Sequence, residues 1–110
     1  MITVCIYKGK YGRIRGFRTS GHADYADQGS DIVCSAVSIL EFTCVNSIDI
    51  LTRDGNSMEV DMIDDEGVFE VRLPEDMSHD TEVLMSSLLI GIKSLTQQYD
   101  EYIQLIYEEV

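Results

Sequence analysis

Apolar and polar residues alternate along residues 2–7, where Ile2, Val4 and Ile6 share one side of an extended chain. A period of two predicts a half-buried strand. The Lys8-Gly9-Lys10-Tyr11-Gly12 stretch predicts a turn, and residues 14–19 a second strand in a hairpin with the first. From Ile32 to about Leu51 the period changes. Val33, Ala36, Val37, Leu40, Cys44, Ser47, Ile48 and Leu51 recur at helical spacing and form one stripe. Only Glu41 and Asp49 are charged between Ile32 and Thr52, so this helix is expected to be buried on most of its circumference.

Asp54-Gly55 ends that unit. Met58, Val60 and Met62 then alternate with Glu59 and Asp61, and Phe69, Val71 and Leu73 with Glu70 and Arg72, across an Asp64-Asp65-Glu66-Gly67 turn. This predicts a hairpin with one dry and one wet face, the mark of an antiparallel sheet. A second helix is expected over about residues 79–99, with Leu84, Leu88, Ile92, Leu95 and Tyr99 in a stripe that Met85 and Leu89 widen. Gly91 inside it costs about 1 kcal/mol relative to alanine, which points to a close backbone contact. Residues 102–108 predict a last strand carrying Ile103, Leu105 and Tyr107 on one side. The order ββαββαβ, with both helices on one face of a mostly antiparallel sheet, predicts an α+β two-layer sandwich.

A chain of 110 residues makes a single domain, 1–110, with no internal repeat or linker. Its 20 acidic residues against 8 basic ones give a net charge of -12, which disfavours direct binding to nucleic acid and suits a basic partner. The N-terminus alternates rather than running apolar, so no signal peptide is expected, and no uninterrupted apolar run spans a bilayer. Three cysteines without paired spacing suggest a reducing compartment, with the cytoplasm as the expected location.

Chemistry concentrates in residues 21–38. His22 and Cys34 flank a polar loop bracketed by Gly21 and Gly29, and Cys34 is expected in the first turn of the first helix. A nearby base and a helix N-terminus both favour a thiolate, and the free amides there would hold an oxyanion. Cys34 stands one helical step off the apolar stripe, with Ser38 and Glu41 following it at i+4 and i+7. Cys5 and Cys44 instead read as small buried hydrophobes. Asp31 has two possible tasks, capping the helix or orienting His22, with capping slightly favoured; Ser30 could cap in its place. Ser38 either bonds the thiol or substrate, or only the helix backbone. Gly21 and Gly29 either hinge the loop as a lid or occupy left-handed turn positions, and these readings are compatible.

Other chemistries lack their residues. Paired zinc ligands are absent, no metal or cofactor is expected, and no arginine follows Cys34 to clamp phosphate. Cys44 lies ten residues along the same helix, roughly 15 Å by helical rise, too far for a dithiol pair.

Gly-His-Ala-x-Tyr followed by Gly-x-Asp-Ile-Val-Cys-Ser-Ala-Val-Ser, covering residues 21–38, closely resembles the signature of the bacterial ribosomal-processing cysteine proteases called Prp, without departure from the motif. The resemblance implies an endopeptidase that removes the N-terminal extension of the large-subunit ribosomal protein numbered twenty-seven, cutting after an aromatic residue. It implies that His22 and Cys34 are catalytic, that Asp31 and Ser38 support them, and that residues 22–29 form a mobile loop over the site. It also implies a homodimer, with a ribosomal protein precursor as partner. Two other classes stay open at this point: a non-catalytic ribosomal-protein-binding assembly factor, and another thiol-dependent acyl-transfer enzyme.

Overall fold

Alternating inward side chains build a five-stranded sheet. The computed structural model describes residues 1–21, 28–63 and 67–110, with backbone alone at 28–31. Strands β1 (Ile2–Lys8) and β2 (Ile14–Ser20) pair antiparallel across a short 3-10 turn at Lys10–Gly12. Helix α1 (Gln28–Leu51) follows, then the hairpin of β3 (Glu59–Ile63) and β4 (Val68–Arg72), helix α2 (His79–Gln98) and β5 (Ile103–Glu109). The spatial order is β3-β4-β2-β1-β5, antiparallel throughout except for the parallel β1–β5 pair. This is the expected α+β order, to which the structure adds the parallel edge.

One core joins the layers. Ile2, Val4, Ile6, Phe17, Val71 and Ile103 from the sheet meet Val33, Val37, Cys44 and Ile48 of α1 and Met85, Leu88 and Ile92 of α2. Register places Ile6 opposite Phe17 and Phe17 opposite Val71, so one row of large apolar groups crosses three strands. The helices meet where Gly91 faces Leu40: a Cβ at Gly91 would stand 3.0 Å from Leu40 Cδ1. That is the close contact its cost in helix propensity implied.

Two expectations are corrected. α1 is not buried on most of its circumference: Val33, Val37, Glu41, Cys44 and Ile48 are buried, whereas Ile32, Ile39, Ile50 and Leu51 are exposed. A single sheet face covers only one side of a helix. By length and composition Ile32–Leu51 would also suffice to cross a membrane, although Glu41 and Asp49 interrupt it; here its inward row packs in the core. Lastly, β3 has no dry face. It is an edge strand, exposed along its whole length, and Val60 and Met62 remain about half accessible at 44% and 50%.

A polar knot anchors α2. Ser78 caps the helix by accepting the Thr81 amide at 3.3 Å. Asp54 Oδ2 accepts from the Ser78 amide at 2.9 Å, the Ser78 hydroxyl at 2.7 Å and the Thr81 hydroxyl at 2.5 Å. These donors, Thr81 foremost, hold the Asp54 carboxyl below its usual range against the opposing effect of burial. A carboxyl with a lowered folded pKa adds stability above its unfolded pKa, and that stability is lost as pH falls through the folded value. Asp54→Ala is expected to cost about 2 kcal/mol in urea unfolding at neutral pH. The deficit should shrink as the pH drops below the ordinary carboxylate range.

Candidate active site

The site begins where β2 ends. Gly21 follows the last residue of β2 with φ +100°, and a Cβ there would stand 2.3 Å from the Met1 carbonyl oxygen, so the chain leaves the sheet through a position that only glycine fits. The left-handed reading of Gly21 holds. Gly29 differs: it lies in the first turn of α1 and occupies no left-handed turn.

Because α1 starts at Gln28, two further expectations change. Cys34 is the seventh helical residue rather than the third or fourth, about 9 Å along the axis from the first. The free amides of a helix are its first four, and its dipole acts within the first turn, so neither reaches Cys34 directly. Asp31 and Ser30 likewise stand inside the helix and cannot be its N-cap. His22, the loop expected to form a lid, and the side chain of Asp31 lie outside the described residues.

Cys34 is half-buried and packs at the margin of the core. It opens into a cleft of about 310 Å³ between α1, the end of β2 and the β3–β4 hairpin. Ser38, one turn on, lines the same cleft, as does Gly21. Three of the expected site residues are therefore brought together. Among the described residues the cleft walls are apolar, formed by Ile2, Val37, Met62, Ile63 and Val68 with Phe42 and Phe69. The Phe42 ring stands edge-on to Phe69 at 5.1 Å, and Phe69 in turn tilts against Phe17 at 5.5 Å, so the aromatic wall is anchored in the core.

The other thiols are held differently. Burial, aided by Glu41, pushes Cys44 up to about 12; its Sγ lies 3.6 Å from the Leu84 carbonyl and 3.6 Å from Met85 Sδ. Burial also raises Cys5, with Glu108 adding to the effect. Cys44 fits the reading as a small buried hydrophobe, whereas Cys5 is only half-buried and stands outside the core, beside Thr3, Tyr7 and Arg18.

Sequence reasoning placed Glu41 on the face of Cys34 but missed that it is buried and bonded to the sheet. Glu41 is only 2% exposed, lines the cleft, and accepts a hydrogen bond from the Thr19 hydroxyl across the helix–sheet gap. The signal was present, since Glu41 completes the row Val33, Val37, Cys44, Ile48 at helical spacing. Phe42, Phe69 and Thr19 also line the cleft, but nothing in their spacing announced it.

The family described as cysteine protease Prp matches residues 1–104. The chain belongs to that family. It is a cysteine protease. The ribosomal processing cysteine protease Prp of Staphylococcus aureus is 31% identical over 108 residues, covering 98% of this chain and all of that one. The Bacillus subtilis protein of the same name is 25% identical over 109 residues, covering 96% of each chain. A crystal structure of the S. aureus protease with a substrate peptide superposes with TM-score 0.89 at 29% identity, covering 98% of this chain and 100% of that one. A second, with a covalently linked product peptide, gives TM-score 0.86 at 30% identity with the same coverage. Membership of the Prp family removes the ground for the non-catalytic and acyl-transfer readings.

Burial raises the Glu41 carboxyl to about 7, partly offset by the Thr19 bond. An acid whose folded pKa lies above its unfolded one keeps its proton longer in the folded state, so stability falls as pH rises between the two values. Between about pH 4.5 and 7, wild type is expected to lose up to about 3 kcal/mol relative to Glu41→Gln. Denaturant unfolding of both proteins across that range checks the slope; parallel curves would refute it.

Proposed function

We propose that this protease removes the N-terminal extension of the large-subunit ribosomal protein numbered twenty-seven, cutting after an aromatic residue. One observation carries the reading. Cys34 opens into an apolar cleft with an aromatic wall, where a ring before the scissile bond would bury its faces against Phe42 and Phe69. The net charge of -12 favours approach of a basic ribosomal-protein tail. The S. aureus relative carries ribosomal processing in its name and was solved with a substrate peptide, which supports the same substrate class here.

In the proposed mechanism His22 takes the Cys34 proton, and the thiolate attacks the carbonyl carbon before the cut. Asp31 orients the imidazole, and Ser38 bonds the substrate from the next helical turn. The tetrahedral intermediate collapses as His22 protonates the leaving amine. Water then hydrolyses the thioester, with His22 accepting its proton. Because Cys34 sits well inside α1, its own amide is committed to the helix, and the oxyanion is assigned to the Ser38 hydroxyl.

We place the enzyme in the cytoplasm, where its three thiols stay reduced, and propose that it works as a homodimer. Ile39 and Ile90, each 67% exposed, flank the Gly91–Leu40 contact on the outer helical layer and give a second copy an apolar surface. Light scattering at working concentration should return twice the mass of the chain.

Cleavage of a peptide spanning the ribosomal protein's extension tests the assignment. Cys34→Ala should abolish cutting while peptide binding persists; cutting by that variant would sink the mechanism. Near pH 6, iodoacetamide should alkylate Cys34 well ahead of Cys5 and Cys44, as peptide mapping would show.

A further inference from the structure

The net charge of -12 conceals an uneven distribution. Residues 1–23 carry five of the eight basic side chains and no acidic one, whereas residues 24–110 carry all 20 acidic ones. Such asymmetry within one chain points to an anionic ligand for the basic part, whatever the sum over the molecule. The fold gathers this charge at the turn between β1 and β2. There Lys10, Tyr11, Arg13 and Arg15 line a cavity of about 190 Å³ with Glu75 and Met77 of the β4–α2 connection. Gly21 and the cleft of Cys34 lie at the opposite end of β2, about 20 Å along the strand.

Hydrogen bonds hold the cavity in shape. Arg13 Nη1 and Nη2 donate to the Glu75 and Met77 carbonyls at 3.2 and 2.8 Å. Arg15 Nε and Nη2 donate to the Leu73 carbonyl at 3.2 and 3.1 Å. The Arg15 stem crosses Gly9, where a Cβ would stand 2.5 Å from Arg15 Cδ. Neutral carbonyls thus fix both guanidiniums without cancelling their charge. Glu82 does pair with Arg13 at 3.2 Å, and Glu75 stands at the wall. Lys10 and Arg15 have no ion pair among the described residues and carry the surplus, which suits one phosphate rather than a polyphosphate.

Tyr11 is the residue that the fold does not explain. It is 97% exposed, so it adds nothing to the core, and its backbone is left-handed at φ +61°. That conformation strains a bulky side chain where glycine would sit freely. An open aromatic ring beside fixed cations matches a nucleotide, whose base stacks on the ring while its phosphate meets the cations. We propose that the β1–β2 turn is a nucleotide-binding site, with the base on Tyr11 and a single phosphate between Lys10 and Arg15. The nucleotide is either a free monophosphate or one unit of single-stranded RNA.

Calorimetric titration of the whole chain at low salt, with adenosine monophosphate, inorganic phosphate and single-stranded tetra-adenylate, tests the proposal. The monophosphate should bind about fivefold or more tightly than inorganic phosphate, the contribution of one stacked base. Its amide shifts should centre on residues 9–15 and 73–77 and leave the cleft unmoved. Tyr11→Gly should keep a urea midpoint no lower than wild type, because the strain is relieved, yet lose that fivefold advantage. Lys10→Gln should weaken the monophosphate and flatten its salt dependence. Tighter binding of the tetranucleotide than of the monophosphate would support the site with RNA as its ligand, and no tighter binding would support it with the free nucleotide. Absence of binding by both nucleotides at millimolar concentration would overturn the proposal. So would equal affinity for monophosphate and inorganic phosphate, or an undiminished affinity for the monophosphate in Tyr11→Gly.

Discussion

The rotation of α1 about its own axis is the constraint on which the cleft depends. Val33, Val37, Cys44 and Ile48 must face the core, and 3.6 residues per turn then dictate where every other side chain of the helix points. Cys34, about 100° around from Val33, falls at the flank of the layer, half in the core and half in the cleft. Ser38 lies one turn above it. Rotation is also set from the other side, where Leu40 meets Gly91 and Cys44 meets Leu84 and Met85. A bulkier residue at position 91 would push α1 away from α2 and turn the thiol with it.

The sheet supplies the opposite wall through its own regularity. Thr19 pairs with Phe69 across β2 and β4, so a hydroxyl and a ring present themselves side by side on the face that α1 covers. Thr19 meets Glu41, Phe69 meets Phe42, and the two contacts close the cleft at its floor and wall. Strand register and helix rotation are thus locked to each other at the site, which explains why a small domain can keep a wide cleft without losing its core.

Period and turn chemistry made the seven main elements legible, because strands of period two and helices of period 3.6 are local signals. The parallel β1–β5 pair and the exposed β3 edge were not legible, since strand order is decided by long-range packing that no local pattern encodes. The start of α1 was misjudged for a related reason: residues 28–31 are polar, and the helix extends through them without any apolar period to mark it. At the site, the thiol and its flanking glycine were readable from spacing. Phe42 and Phe69 were not, because they converge from elements far apart in sequence. Glu41 was legible as a polar neighbour of Cys34, but its burial was not, because the cover over it comes from the distant sheet.

Two buried carboxyls in this fold show what separates a structural acid from one free to act. Asp54 gathers three donors on one oxygen, and its pKa moves down. Its charge is matched, so it pins α2 and has little left to offer a ligand. Glu41 has a single donor among the described residues, and its pKa moves up. An acid left half-satisfied destabilises the fold that carries it, and such groups collect where a ligand completes them. The same desolvation that raises Glu41 also strengthens any hydrogen bond it makes once substrate fills the cleft and excludes water. The two acids thus sit on opposite sides of one balance, Asp54 matched by donors and Glu41 left largely to desolvation.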